Sequence, residues 1–146
     1  MANSIAIGAA YSDQDLKGSN TIYAIATTGQ IGYNTGSATT APSTVTQATS
    51  KSTGVTINAS VGQIVTNNAA LSAGVEVAFV VTNSAISAYD IPVIAIASGS
   101  ATAGTYLVSV AAVAAGSFTI VITNASGGAL SEALTINFAT IHVAQA

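Results

Sequence analysis

Three stretches decide the fold: Val75-Glu-Val-Ala-Phe-Val-Val-Thr82, Phe118-Thr-Ile-Val-Ile-Thr-Asn124 and Leu134-Thr-Ile-Asn-Phe-Ala139. In the first, Val75, Val77, Phe79 and Val81 share one parity, and Glu76, Ala78, Val80 and Thr82 share the other. In the second, Phe118, Ile120 and Ile122 oppose Thr119, Val121 and Thr123. In the third, Leu134, Ile136 and Phe138 oppose Thr135, Asn137 and Ala139. A period of two belongs to extended chain, in which successive side chains point to opposite sides of a sheet. The apolar set of each stretch is expected to face a core, and the Thr/Asn set to face solvent.

Composition extends this reading to the whole chain. Of 146 residues, 15 are Ile, 14 Val and 19 Thr, so 48 are β-branched, and only five are Leu. Such side chains are stiff at χ1 and suit a pleated surface better than a helix. The 30 alanines favour helix in isolation, but they are interspersed with Val, Ile, Thr and Gly. An all-β fold follows: an antiparallel β-sandwich or jelly-roll-like domain, preceded by an extended N-terminal arm with short strands. Expected strands are Val55–Asn58, Gly62–Thr66, Val75–Thr82, Pro92–Ala97, Tyr106–Val113, Phe118–Asn124 and Ala133–Val143. Asn67-Asn68, Asn83-Ser84, Gly99 to Gly104, Ala115-Gly116 and Ser126-Gly127-Gly128 supply turns. Ile141 and Val143 fall on the opposite parity from Phe138, which predicts a bulge around Ala139-Thr140. Pro92–Ala97 and Tyr106–Val113 carry apolar groups on both faces, which predicts cover by a second sheet on one side and a neighbouring subunit on the other.

The N-terminal third differs. Ser4–Ala10 and Thr21–Thr27 are short β-like stretches around a polar turn holding Asp13, Asp15 and Lys17. Residues 34–53 are almost wholly small and polar, a tract that cannot build a core by itself. A boundary near Thr53 therefore separates an arm and linker, residues 1–53, from a sandwich domain, residues 54–146.

Charge excludes several functions. Only 5% of the residues are charged, against about a quarter in an ordinary soluble domain. There is no arginine, and two lysines cannot neutralise a phosphate backbone, so nucleic acid is not an expected partner. With no cysteine and one histidine, disulfides, thiolate metal sites and two-histidine centres are excluded. Mean hydropathy is high at +0.62, but no apolar run approaches the ~20 residues of a spanning helix. The start, Met-Ala-Asn-Ser-Ile-Ala-Ile-Gly8, lacks the basic and apolar regions of a secretory signal, so the expectation is a chain made in the cytoplasm and not placed in a membrane.

Catalytic patterns are sparse. There is no phosphate-binding Gly/Lys loop, no His-Glu-x-x-His and no Gly-x-Ser-x-Gly elbow. A Ser-His-Asp set can be drawn through His142, but no spacing supports it. Glu76 and Glu132 could pair as glycosidase carboxylates, though two separate solubilising charges is the simpler reading. Asp13-Gln-Asp15-Leu-Lys17-Gly18 begins like a calcium loop, but Lys17 stands at a ligand position and the twelfth position is Ala24. Asn58-Ala-Ser60 and Asn124-Ala-Ser126 read as chance in an Asn/Ser-rich chain without an export signal. No catalytic, metal or cofactor residue is assigned, and the chain is read as a non-enzyme. Tyrosine combines contact area with a polar tip, so Tyr11, Tyr23, Tyr33 and Tyr89 are the candidate interaction residues, for packing against a partner in preference to sugar.

A surface made polar only by Ser, Thr, Asn and Gln opposes association weakly. That suits a chain held permanently in a large assembly, with the small, polar linker serving as an arm that lies across a neighbour. From about Val45 onward the chain also resembles a domain of tailed-bacteriophage structural proteins. The resemblance is carried by Val45–Asn58, Gly62-Gln-Ile64, Asn67–Gly74, Val81-Thr-Asn-Ser84 and the run Ala114–Phe138. A β-domain behind a polar arm is similar to capsid cement or decoration proteins. The resemblance implies a virion protein on the outer head surface, a homotrimer clamping adjacent major capsid protein subunits. The rival expectations are a tail or head fibre module that binds host glycans, and a small hydrolase on a β scaffold.

Overall fold

A computed structural model of the protein describes residues 43–143. The chain divides into two units; Met1–Gly32 lies outside the described residues, and Tyr33–Ala146 contains all of them. Eight strands run in chain order: β1 (Thr44–Thr46), β2 (Val55–Thr56), β3 (Val61–Val65), β4 (Glu76–Thr82), β5 (Ile91–Ser98), β6 (Tyr106–Ala114), β7 (Ser117–Asn124) and β8 (Thr135–Ile141). They form two four-stranded sheets, β1-β3-β8-β5 and β2-β4-β7-β6. No helix occurs among the described residues. The all-β sandwich expected from the alternation is what the described residues form.

The seven expected strands all exist, each with both ends within two residues of the expected ones. β7 alternates without interruption, burying Phe118, Ile120, Ile122 and Asn124. Ile136 and Phe138 of β8 face it from the other sheet, and the Phe118 and Phe138 rings meet with centroids 5.5 Å apart at 55°. Tilted rings at that distance add to burial, each worth about 2 kcal/mol or more when removed from water. Phe79 and Val81 of β4, Ile64 of β3 and Leu134 belong to the same core, with Val55, Ile57, Leu71, Ile86 and Tyr106 around them. Val75, placed on the same parity as Phe79, is 43% exposed because it precedes β4 at the open end of the sheet.

Three expectations are corrected. First, Thr44–Thr46 of the polar tract is a strand, pairing in parallel with β3, and Val55–Thr56 pairs in parallel with β4, so both sheets are mixed. Ser43 O accepts Gln63 N at 2.8 Å and Val65 O accepts Gln47 N at 2.9 Å, so backbone bonds and the single apolar Val45 suffice where side-chain pattern is absent. Second, residues 44–53 therefore belong to the sandwich, and the linker boundary at Thr53 moves upstream of them. Gln47, buried, clamps this segment: Nε2 donates to the carbonyls of Lys51 and Thr53, and Oε1 accepts Asn67 N. Third, β8 pairs with β5 in unbroken register through Ala139 and Thr140, so there is no bulge there; Ile141 simply faces outward. The register shifts fall instead at Ile96/Ser98 and at Val110/Ala112.

Buried asparagines build the turns. Asn83 donates to Ala59 O and accepts Ala85 N; Asn124 donates to the carbonyls of Leu71 and Gly128 and accepts Ser126 N. Each holds a loop by bonds that water would otherwise supply. Two glycines are separable by experiment. Gly116, at φ 80° in the β6–β7 turn, has open space where a Cβ would lie; Gly99, at φ 99°, would place a Cβ 2.1 Å from Ala133 O. Gly116→Ala is expected to cost about 1 kcal/mol, the left-handed backbone alone. Gly99→Ala should cost at least about 3 kcal/mol, because backbone must also move. Urea unfolding of the two variants measures the difference.

Candidate functional site

The register of sheet β3-β8-β5 brings three chemically distinctive side chains to one end. Ile91 pairs with Ile141 in an antiparallel ladder, which sets Asp90 opposite His142. Val61 pairs with Ala139, which sets Ser60 opposite Thr140, and Thr140 N donates to Ser60 O at 2.8 Å. Ser60, Asp90 and His142 are thus neighbours across three strands, although 82 residues separate Ser60 from His142.

The geometry among them is close. His142 Nδ1 lies 2.9 Å from Asp90 Oδ2, and His142 Nε2 lies 2.8 Å from Ser60 Oγ. Asp90 is rigidly held. Its Oδ2 also accepts Ser87 N at 2.8 Å, and its Oδ1 accepts Val143 N at 2.9 Å. Asp90 N donates back to Ser87 O, closing the turn before β5. Its side chain is 3% exposed, whereas that of His142 is 39% exposed. Backbone donation from Ser87 and Val143, with His142 adding to it, holds the Asp90 carboxyl well below the usual carboxylate range. An open depression of about 380 Å³ borders the pair, lined in part by Ser84, Ile86 and Ser87.

A second polar cluster lies around Glu132. Tyr106, buried on β6, donates its hydroxyl to Glu132 Oε2 at 2.8 Å. Burial, and then Glu132, push the Tyr106 phenol up to about 12, while the same bond lowers the Glu132 carboxyl. Lys51, 3% exposed, donates from Nζ to the carbonyls of Asn67 and Glu132. Burial lowers its ammonium and the Glu132 charge opposes that shift. These bonds tie the loops together at one rim. Glu76 sits apart on β4, accepting Thr123 Oγ1, so no hydrogen bond makes it a partner of Glu132.

Of the four candidate interaction tyrosines, Tyr11, Tyr23 and Tyr33 lie outside the described residues, as does the Asp13–Gly18 loop. Tyr89 is described and stands 67% exposed immediately before Asp90. Among the described residues no three His, Asp or Glu side chains gather as metal ligands, and no helix is long and apolar enough to cross a membrane.

One sheet face among the described residues carries an exposed apolar patch. On the outer face of sheet β1-β3-β8-β5, Ile91 pairs with Ile141, Val93 with Ala139, and Ala139 with Val61. Ile91, Val93 and Ile141 are 55%, 52% and 55% exposed. Tyr89 and Val143 flank this patch, and Ala95, Asn137, Gln63 and Val65 continue it without a charge. The opposite sheet exposes Val80 and Leu107, with Glu76 its sole ionised group. No protein-family model, curated protein or solved structure matches the chain.

Acid stability follows from Asp90. Its folded acidity is shifted down from an ordinary value of 3.8, so the unfolded chain binds a proton first as pH falls. The contribution of Asp90 to stability is full above about pH 5 and declines progressively below about pH 4. Glu132 acts in the same sense. Thermal melting between pH 7 and pH 2 should show this decline, and Asp90→Asn should flatten part of it.

Proposed function

We propose that the chain is a structural virion protein of the cement or decoration type, bound to the outer surface of a phage head and stabilising contacts between major capsid protein subunits. The observation that carries this reading is the contiguous, uncharged apolar patch of Ile91, Val93, Ala139 and Ile141 beside Tyr89. A freely diffusing domain with such a face, and with the eight-residue edge strand β5 beside it, invites association. In a symmetric assembly the same face becomes an interface core, where apolar groups are favourable and charge is depleted. Edge β5 offers backbone donors and acceptors for a strand from a neighbour.

The apolar sheet face joins copies of the chain as a homotrimer, and the residues preceding β1 dock to the shell. Contacts weak one by one become effective by repetition over the particle. The glycan-binding alternative asks for an aromatic platform. Among the described residues Tyr106 is buried and Tyr89 is the one exposed tyrosine.

Val93→Lys and Ile141→Lys test the face. Both side chains are half exposed in the single chain, so each variant should still fold and keep a cooperative thermal transition. Native mass should nonetheless fall from trimer to monomer; an unchanged mass would refute the assignment. A chain lacking residues 1–42 should keep its native mass yet fail to co-sediment with phage heads, and retained binding would place docking elsewhere.

A further inference from the structure

We infer that Ser60, His142 and Asp90 form an acyl-transfer site, with Ser60 as nucleophile, acting on small carboxylic esters. The inference goes beyond the assembly reading, which uses none of these groups. It rests on the order and atoms of the contacts. The carboxylate accepts from Nδ1, the opposite ring nitrogen meets the hydroxyl, and both distances are below 3 Å. A nucleophile, a base and a group orienting the base define this chemistry by geometry, independent of chain order or fold.

Asp90 is suited to the orienting role. It is buried, ionised and held at both oxygens by backbone N–H groups, so it cannot rotate away. An ionised partner at Nδ1 favours the tautomer with the proton on that nitrogen, leaving the Nε2 lone pair toward Ser60 Oγ. His142 is partly exposed, and Ser60 is neither deeply buried nor in the middle of a strand, so a ligand can reach both. Asp90 and His142, but not Ser60, line the open depression of about 380 Å³, to which Ile86 and Val143 give apolar walls. No Lys lies in this constellation, and the only lysine among the described residues, Lys51, is engaged at Asn67 and Glu132. A neutral ester is accordingly the class of substrate that the site fits, in preference to a phosphate or a carboxylate anion.

The reaction balances with water as the only co-reactant. Ser60 Oγ attacks the ester carbonyl carbon while its proton passes to His142 Nε2. The bond to the alkoxy oxygen breaks, and the imidazolium returns that proton to the departing alcohol. Water then attacks the acyl-Ser60 carbonyl, giving its proton to His142. Ser60 leaves, is reprotonated and the carboxylic acid is released. The sum is ester plus water to acid plus alcohol.

The full chain should be treated with a fluorophosphonate probe and, separately, with 4-nitrophenyl acetate. Peptide mass spectrometry should find the phosphonyl group on Ser60, and Ser60→Ala should abolish it without changing the melting temperature. His142→Gln should slow both labelling and nitrophenol release by at least about 100-fold. Labelling absent from Ser60 would overturn the inference. So would nitrophenol release by Ser60→Ala at the parent rate, since that locates the reaction on another nucleophile.

Discussion

The contact between the inward faces of β7 and β8 is the constraint on which the molecule depends. β7 lies between β4 and β6, and β8 lies between β3 and β5, so each is a central strand of its sheet. Phe118 and Phe138 meet across the gap, and Ile120, Ile122 and Ile136 are fully buried around them. Because side chains alternate with period two, a slip of one residue in either strand would turn this row to solvent and bring Thr or Asn inward. Every neighbouring strand inherits its position from these two. The register of β8 alone sets Val61 and Ile91 on its two sides, and with them Ser60 and Asp90.

Charge plays little part in this fixation, and buried amides take its place. Gln47, Asn83 and Asn124 each bond two or more backbone groups from loops that no ladder reaches. Lys51, the buried ammonium among the described residues, does likewise through two carbonyls. These bonds are individually modest, about 1 kcal/mol net, but removing either partner strands a buried carbonyl or amide. The loops are thereby rigid where they carry Asp90, and that rigidity is what lets a carboxylate in a turn hold an imidazole on a different strand.

The outside of the sandwich follows the opposite logic. With seven ionisable acid and lysine side chains in 146 residues, the sheet faces cannot be screened from one another by charge. Ile91, Val93, Leu107 and Ile141 accordingly stand outward and exposed, with few charged groups among them. The Ser60–His142–Asp90 group stands at the edge of the apolar patch, since Asp90 and His142 are the residues next to Ile91 and Ile141.

The strands, their facing and most turns are legible in the linear chain, because alternation and turn chemistry are local properties: Phe118–Asn124 reads as half-buried from its own residues. The outward apolar face was also legible, in Pro92–Ala97, as apolar groups on both parities. β1 was not, since Thr44–Thr46 owes its state to backbone bonds with β3 and not to any pattern of its own. Nor was the unbroken course of β8, where an outward Ile141 imitates a bulge. The grouping of Ser60 with His142 and Asp90 arises from strand pairing across 82 and 52 residues. No local spacing encodes such a meeting; it exists only once two ladders have closed on the same central strand.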